Sequence, residues 1–158
     1  MTAHLAGLHP HCWLMVGHCA GLRRSQMLGD YVLAHGYVRD DHVLDADLPT
    51  WVPVPPIAEV QVAMQEATAL VTGLHDSAIK TRLRTGTVMT TDNRDWELRL
   101  AHLFTQINMS RAIAVDMESA TIAANGFRFR VPYGTLLCVS YKPLHGELML
   151  RGMANAFY

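Results

Sequence analysis

Charge is scarce in this chain: only 17% of its 158 residues are Asp, Glu, Lys or Arg, and they nearly cancel to a formal charge of −1. No basic stripe is present to hold a nucleic-acid backbone, and the short groups Arg23–Arg24 and Arg128–Arg130 read as solvated faces. Long apolar runs are missing too, none reaching the roughly 18 residues that a membrane-crossing helix needs. The N-terminus, MTAHLAGLHPHCWLMV, lacks the basic start and cleavage pattern of a signal peptide, so a cytoplasmic protein is expected. Cysteine is sparse. Cys12, Cys19 and Cys138 cannot all pair with one another, and reduced core thiols fit best. Nine histidines invite a metal reading, yet His9, His11, Cys12, His18 and Cys19 match no zinc spacing, and no metal is expected. A G-x-S-x-G elbow is absent as well, which removes the usual sign of a serine hydrolase.

What is present is half hydrophobic and the size of one ordinary domain, taken as residues 1–158. CWLMVG, residues 12–17, reads as a buried strand, and GHCAGL sets Gly17 and Gly21 around His18 and Cys19. Glycines at a strand end let backbone N–H groups turn toward a ligand. LGDYVLAHGYV, residues 28–38, is β-rich, and DADLPTWVPVPP, residues 45–56, carries four prolines and reads as an extended loop. Val60, Ala63, Met64, Ala67, Leu70 and Val71 recur at helical spacing, and a second short helix is expected over residues 76–83.

RTGTVMTTD, residues 84–92, returns to a strand, followed by DNRDWELR as a charged turn or helix. AIAVDM, residues 112–117, is another buried strand, and the helix after it is expected to stop at Gly126. VPYGTLLCVS, residues 131–140, is the third. RGMANAFY reads as the opening of a further helix. Apolar strands alternating with helices predict an α/β fold: a mixed, mostly parallel sheet with helices on both faces.

Chemistry-bearing residues gather at three strand ends. These are GHCAGL, then VDMES with Asp116 and Glu118 flanking Met117, then VSYKPLHGE with Ser140, Tyr141, Lys142, His145 and Glu147. A carboxylate where a strand becomes a helix can accept two hydrogen bonds from a vicinal diol, or it can simply stabilise the helix start.

Together these segments resemble the nucleoside phosphorylase and nucleosidase superfamily, and within it the AMP nucleosidase family. The resemblance runs from about His11 to Tyr158 and is most specific at GHCAGL with LGDYVLAHGYVRDDHVLD, RTGTVMTTDNRDWELR, AIAVDMESATIAANGFRFRVPYGTLLCVS and KPLHGE. It implies hydrolysis of AMP to adenine and ribose 5-phosphate, without metal or organic cofactor, by a homo-oligomer. It further implies that Met117 packs on the ribose and that Glu118 holds the 2′ and 3′ hydroxyls. The turn Gly17–Gly21 would lie beside the sugar or the attacking water, and Asp92 and Trp96 would lie near the base. The 5′-phosphate needs cations, for which Lys142, His145, Arg23 and Arg24 are candidates.

Two features depart from the family. It places an aspartate after the strand-end serine, as general acid toward the purine, where this chain has Tyr141. A tyrosine starts near pKa ~10, far from the value that suits proton delivery at neutral pH. Met149 and Arg151 also stand where relatives tend to carry K-L-P-G. The second departure is length, from which a catalytic domain truncated at both ends, with an unpaired sheet edge, is expected. Two other readings stay open: a purine-nucleotide binding module without catalysis, and a phosphorylase using phosphate as nucleophile.

Overall fold

The computed structural model describes residues 2–148. After a short helix α1 (Thr2–Ala6), strands β1 (Trp13–Gly21) and β2 (Tyr31–Asp40) lead through the proline-rich loop to helices α2 (Ala58–Thr72) and α3 (Asp76–Arg82). Strand β3 (Leu83–Thr91) is followed by a 3₁₀ turn, Trp96–Arg99, and helix α4 (Leu100–Ser110). Then come β4 (Ala114–Asp116), α5 (Ser119–Phe129), β5 (Tyr133–Lys142) and a two-residue strand β6 (Glu147–Leu148).

The expected open, mostly parallel sheet is not what forms. Strand β1 pairs antiparallel with β4 and parallel with β5. Strand β2 pairs parallel with β3 and antiparallel with β5, and β3 runs parallel to β4. These five joins close a ring, β1-β4-β3-β2-β5 and back to β1, with β6 appended to β5. The fold is therefore a closed, mixed five-stranded barrel, and the expected unpaired sheet edge is absent from this ring among the described residues.

Its interior is filled by Cys19, Val32, Ala34, Val88, Ala114, Leu137 and Val139, a cluster drawn from all five strands and from no helix. The neighbouring positions point outward, as strand alternation demands. Leu33 meets Met64 of α2 and Ile79 of α3, while Met89 and Val115 meet Ile107 of α4. A barrel wall packed inside by side chains and outside by helices is apolar on both sides. That is the pattern a doubly covered open sheet also gives, which is why periodicity alone misassigns it.

Helix α5 also differs from expectation. It runs through Gly126 to Phe129 and ends on Arg130 in the left-handed conformation, φ 56°. Gly126 serves packing instead of termination, because a Cβ there would stand 2.6 Å from the Tyr133 ring. Helix α4 was not foreseen, although Leu100, Leu103 and Ile107 carry its apolar spacing. The helix expected at RGMANAFY, and Met149 and Arg151, lie outside the described residues.

Candidate active site

The C-terminal ends of β1, β4 and β5 and the loop after β3 open on one cleft of about 680 Å³. Gly17, His18, Cys19 and Ala20 of β1 line it, together with Val115 through Glu118, Ser140, Tyr141 and, from the loop after β3, Arg94, Trp96 and Glu97.

One wall is the turn from β4 into α5. Asp116 is buried and organises this turn: its Oδ1 accepts from Thr90 Oγ1 at 2.5 Å and its Oδ2 from the Ser119 N–H at 2.9 Å. Thr90 Oγ1 in turn accepts the Ala120 N–H at 2.9 Å. The first N–H groups of α5 are thus satisfied by Asp116 and Thr90. Burial pushes the Asp116 carboxyl up to about 6 against the lowering effect of its Thr90 and Ser119 hydrogen bonds, with the nearby Glu118 charge adding to the rise. Glu118 occupies the N-cap position of α5 yet makes no side-chain cap bond. Its exposed carboxylate is left lining the cleft, beside half-buried Met117.

The facing wall depends on a bulge. Cys19 pairs with Val139, but Ala20 pairs with Tyr141, so Ser140 is one residue too many on β5. The extra residue reverses the alternation. Val139 points into the barrel while Tyr141, two residues on, points out to join Ala20, Trp96 and Val115. There the Tyr141 hydroxyl donates to Glu97 Oε1 at 2.8 Å. Burial is the main cause that pushes the phenol well above its ordinary value, and the hydrogen bond and charge of Glu97 add to it. Ser140 Oγ donates to the Cys19 carbonyl at 3.3 Å.

Arg94, Trp96 and Glu97 reach the cleft because the loop after β3 folds back on itself. Asn93 caps two N–H groups there, its Oδ1 accepting from Asp95 and its carbonyl from Trp96. Trp96 is buried and Arg94 is exposed, the one Lys or Arg among the described residues that line the cleft. Arg94 and Glu97 are the site residues that sequence reasoning missed. Turn chemistry in DNRD was the available signal, but nothing in it tells which side chain faces inward.

Of the residues expected from sequence, Gly17, His18, Trp96, Met117, Glu118, Ser140 and Tyr141 meet in this cleft. Gly21, Asp92 and Lys142 do not line it. Gly21 packs on Val139 and Lys142, where a Cβ would stand 2.8 Å from Val139 Cγ1. Lys142 is buried, donating from Nζ to Glu147 Oε1 at 2.7 Å and to the Arg24 carbonyl at 3.4 Å. Arg23, Arg24 and His145 also lie outside the lining. Burial pushes the Cys19 thiol far up, which leaves it a poor nucleophile. Among the described residues, no three His, Cys, Asp or Glu side chains gather as a metal site requires, and no helix is long and apolar enough to cross a membrane.

The phosphorylase superfamily model matches residues 2–148. AMP nucleosidase of Escherichia coli K12 is 66% identical over 155 residues, which cover 98% of this chain and 32% of that protein. The chain thus spans about a third of the length of the curated relatives it matches. Among solved structures, AMP nucleosidase from Bacteroides thetaiotaomicron superposes with a TM-score of 0.73 at 31% identity, over 88% of this chain and 59% of that one. A Plasmodium knowlesi homologue of the P. falciparum enzyme PNP gives 0.77 at 18% identity, over 99% and 62%, and supports the fold alone.

Proposed function

Because the chain belongs to the phosphorylase superfamily, we propose that its cleft is shaped to hydrolyse the N-glycosidic bond of AMP, and that Tyr141 makes this chain a poor catalyst of that reaction. The observation that carries the reading is the placement of Glu118. Asp116 and Thr90 satisfy the start of α5, so Glu118 is left in the cleft as an uncommitted carboxylate. The 66% identity to an AMP nucleosidase supports the same substrate.

In this reading Glu118 accepts from the 2′ and 3′ hydroxyls of the ribose and Met117 packs on the sugar. Arg94 takes the 5′-phosphate, a role for which Lys142 is too deeply buried and already paired. His18 and Gly17 lie beside the sugar or its attacking water. The purine lies toward Trp96 and Tyr141. The C1′–N9 bond breaks with its electron pair going to adenine, and positive charge builds on the ribose ring. A proton must reach a purine nitrogen, while water adds its oxygen to C1′ and loses a proton.

Glu118 carries negative charge near the developing cation, which helps only if that contact strengthens in the transition state. Proton delivery is the weak step. The Tyr141 hydroxyl is already committed to Glu97, and its raised pKa holds the proton on the phenol. Ser140 remains a backbone-linked neighbour of this donor position. No metal or organic cofactor enters the reading. Cytoplasmic location and homo-oligomeric assembly complete it, the latter supported by the exposed apolar side chains Leu14, Val16, Leu70 and Val71.

Incubation with AMP and chromatography of free adenine tests the proposal. Wild type should release adenine slowly, and Tyr141→Asp should be faster by roughly 10²–10⁴, the usual worth of a positioned general acid. Ribose 1,5-bisphosphate formed on adding phosphate would instead assign phosphorolysis.

A further inference from the structure

A second cleft, of about 320 Å³, lies at the N-terminal ends of β3 and β4, opposite the ends that carry the candidate active site. Its walls come from the loop after β1, the start of β3, α3 and Ile113, and it shares no lining residue with the first cleft. Arg23, Lys80 and Arg84 all line it, and among the described residues no Asp or Glu does. The ion pairs among the described residues involve Arg39, His42, Arg82, Arg128 and Lys142, and none of these three cations. Arg82 makes the contrast plain: two residues before Arg84, its Nε lies 2.9 Å from the buried carboxylate of Asp30.

Two of the three cations are braced. Arg23 Nη2 donates to the Arg111 carbonyl at 2.9 Å, and Arg84 Nη2 to the Ser25 carbonyl at 3.0 Å. A guanidinium held this way keeps other N–H groups available, with little rotamer freedom left to lose on binding. Gln26, only 1% exposed, is oriented as well: its Oε1 accepts the Arg23 N–H at 2.8 Å. That leaves its Nε2 with no hydrogen-bond partner among the described residues, and Arg84 Nε is in the same state. Gathering like charges costs free energy that a bound anion offsets. Unpartnered buried donors add to that cost.

We propose that this cleft binds a phosphoryl oxyanion, either free or carried on a small organic group. The proposal rests on this cleft alone and stands whatever the first one does.

Titration calorimetry of the whole chain at low ionic strength should show saturable binding of inorganic phosphate, with Kd on the order of 1 mM or tighter. The double variant R23Q/R84Q should weaken it by about tenfold or more. A second measurement needs no variant: in nitrogen-15 spectra of the wild type, the Gln26 side-chain amide and the Ser25 backbone amide should move as phosphate is added. Phenyl phosphate separates the sources, since tighter binding than inorganic phosphate assigns a phosphomonoester and equal binding assigns the free ion. Failure of both probes to saturate overturns the proposal, as do shifts confined to Arg94 and Trp96.

Discussion

On one wall of the candidate active site, Asp116 is buried and its hydrogen bonds close on the helix that begins beside it. On the other, Tyr141 reaches across to Glu97 from a bulged strand. The first wall is built almost entirely from residues 116–120, with Thr90 as its one distant contributor. The second joins β5 to a 3₁₀ turn more than forty residues away in sequence, and its alignment depends on one extra residue at Ser140. A substitution at position 141 can therefore change the chemistry of the β5 wall while the wall at the start of α5 keeps its geometry. This separates what the fold can bind from what the chain can catalyse.

The largest effect is expected at Asp116, on the wall at the start of α5. Its folded pKa of about 6 lies above the ordinary 3.8, so the fold favours the protonated form. That contribution is fully present below pH 3.8 and is lost as pH rises through about 6. The shift is worth about 3 kcal/mol. Denaturant titrations of wild type and Asp116→Asn should show wild type losing stability relative to the variant between pH 4 and 7, by about that amount. A constant difference across this range would contradict a buried, titrating Asp116.

Glu118→Ala should leave thermal stability unchanged, because the side chain caps nothing, while weakening AMP binding by about 2 kcal/mol in calorimetry. A fall in melting temperature with unchanged affinity would return Glu118 to a purely structural role. Arg94→Gln should weaken AMP by about tenfold and adenosine hardly at all, since only AMP brings a phosphate to that end. Equal losses for both ligands would remove Arg94 from the phosphate. The smallest effect belongs to Tyr141→Phe, which deletes the bond to Glu97 and should cost about 1 kcal/mol of stability.

Much of the wall at the start of α5 was legible in the sequence, because it is local. VDMES follows an apolar strand and opens a helix, and those five residues hold both the buried acid and the free one. The Tyr141–Glu97 wall was legible only in part. Tyr141 stood out, but its partner Glu97 comes from a charged loop with no periodicity, and no local pattern announces the bulge at Ser140. Lys142 misled for a related reason: a lysine at a strand mouth looks available, whereas here it is sealed against Glu147 and the Arg24 carbonyl. Ring closure was invisible because it is a pairing between β1 and β5, 120 residues apart at Trp13 and Tyr133, and pairing leaves no trace in either strand's own apolar pattern.

As proposed above, the cleft takes AMP but carries an unsuitable proton donor in Tyr141. The rate of adenine release from AMP by wild type and by Tyr141→Asp, measured side by side, tests it most directly. The aspartate variant should be faster by roughly 10²–10⁴. Equal rates in the two proteins, whether both rapid or both absent, would contradict it.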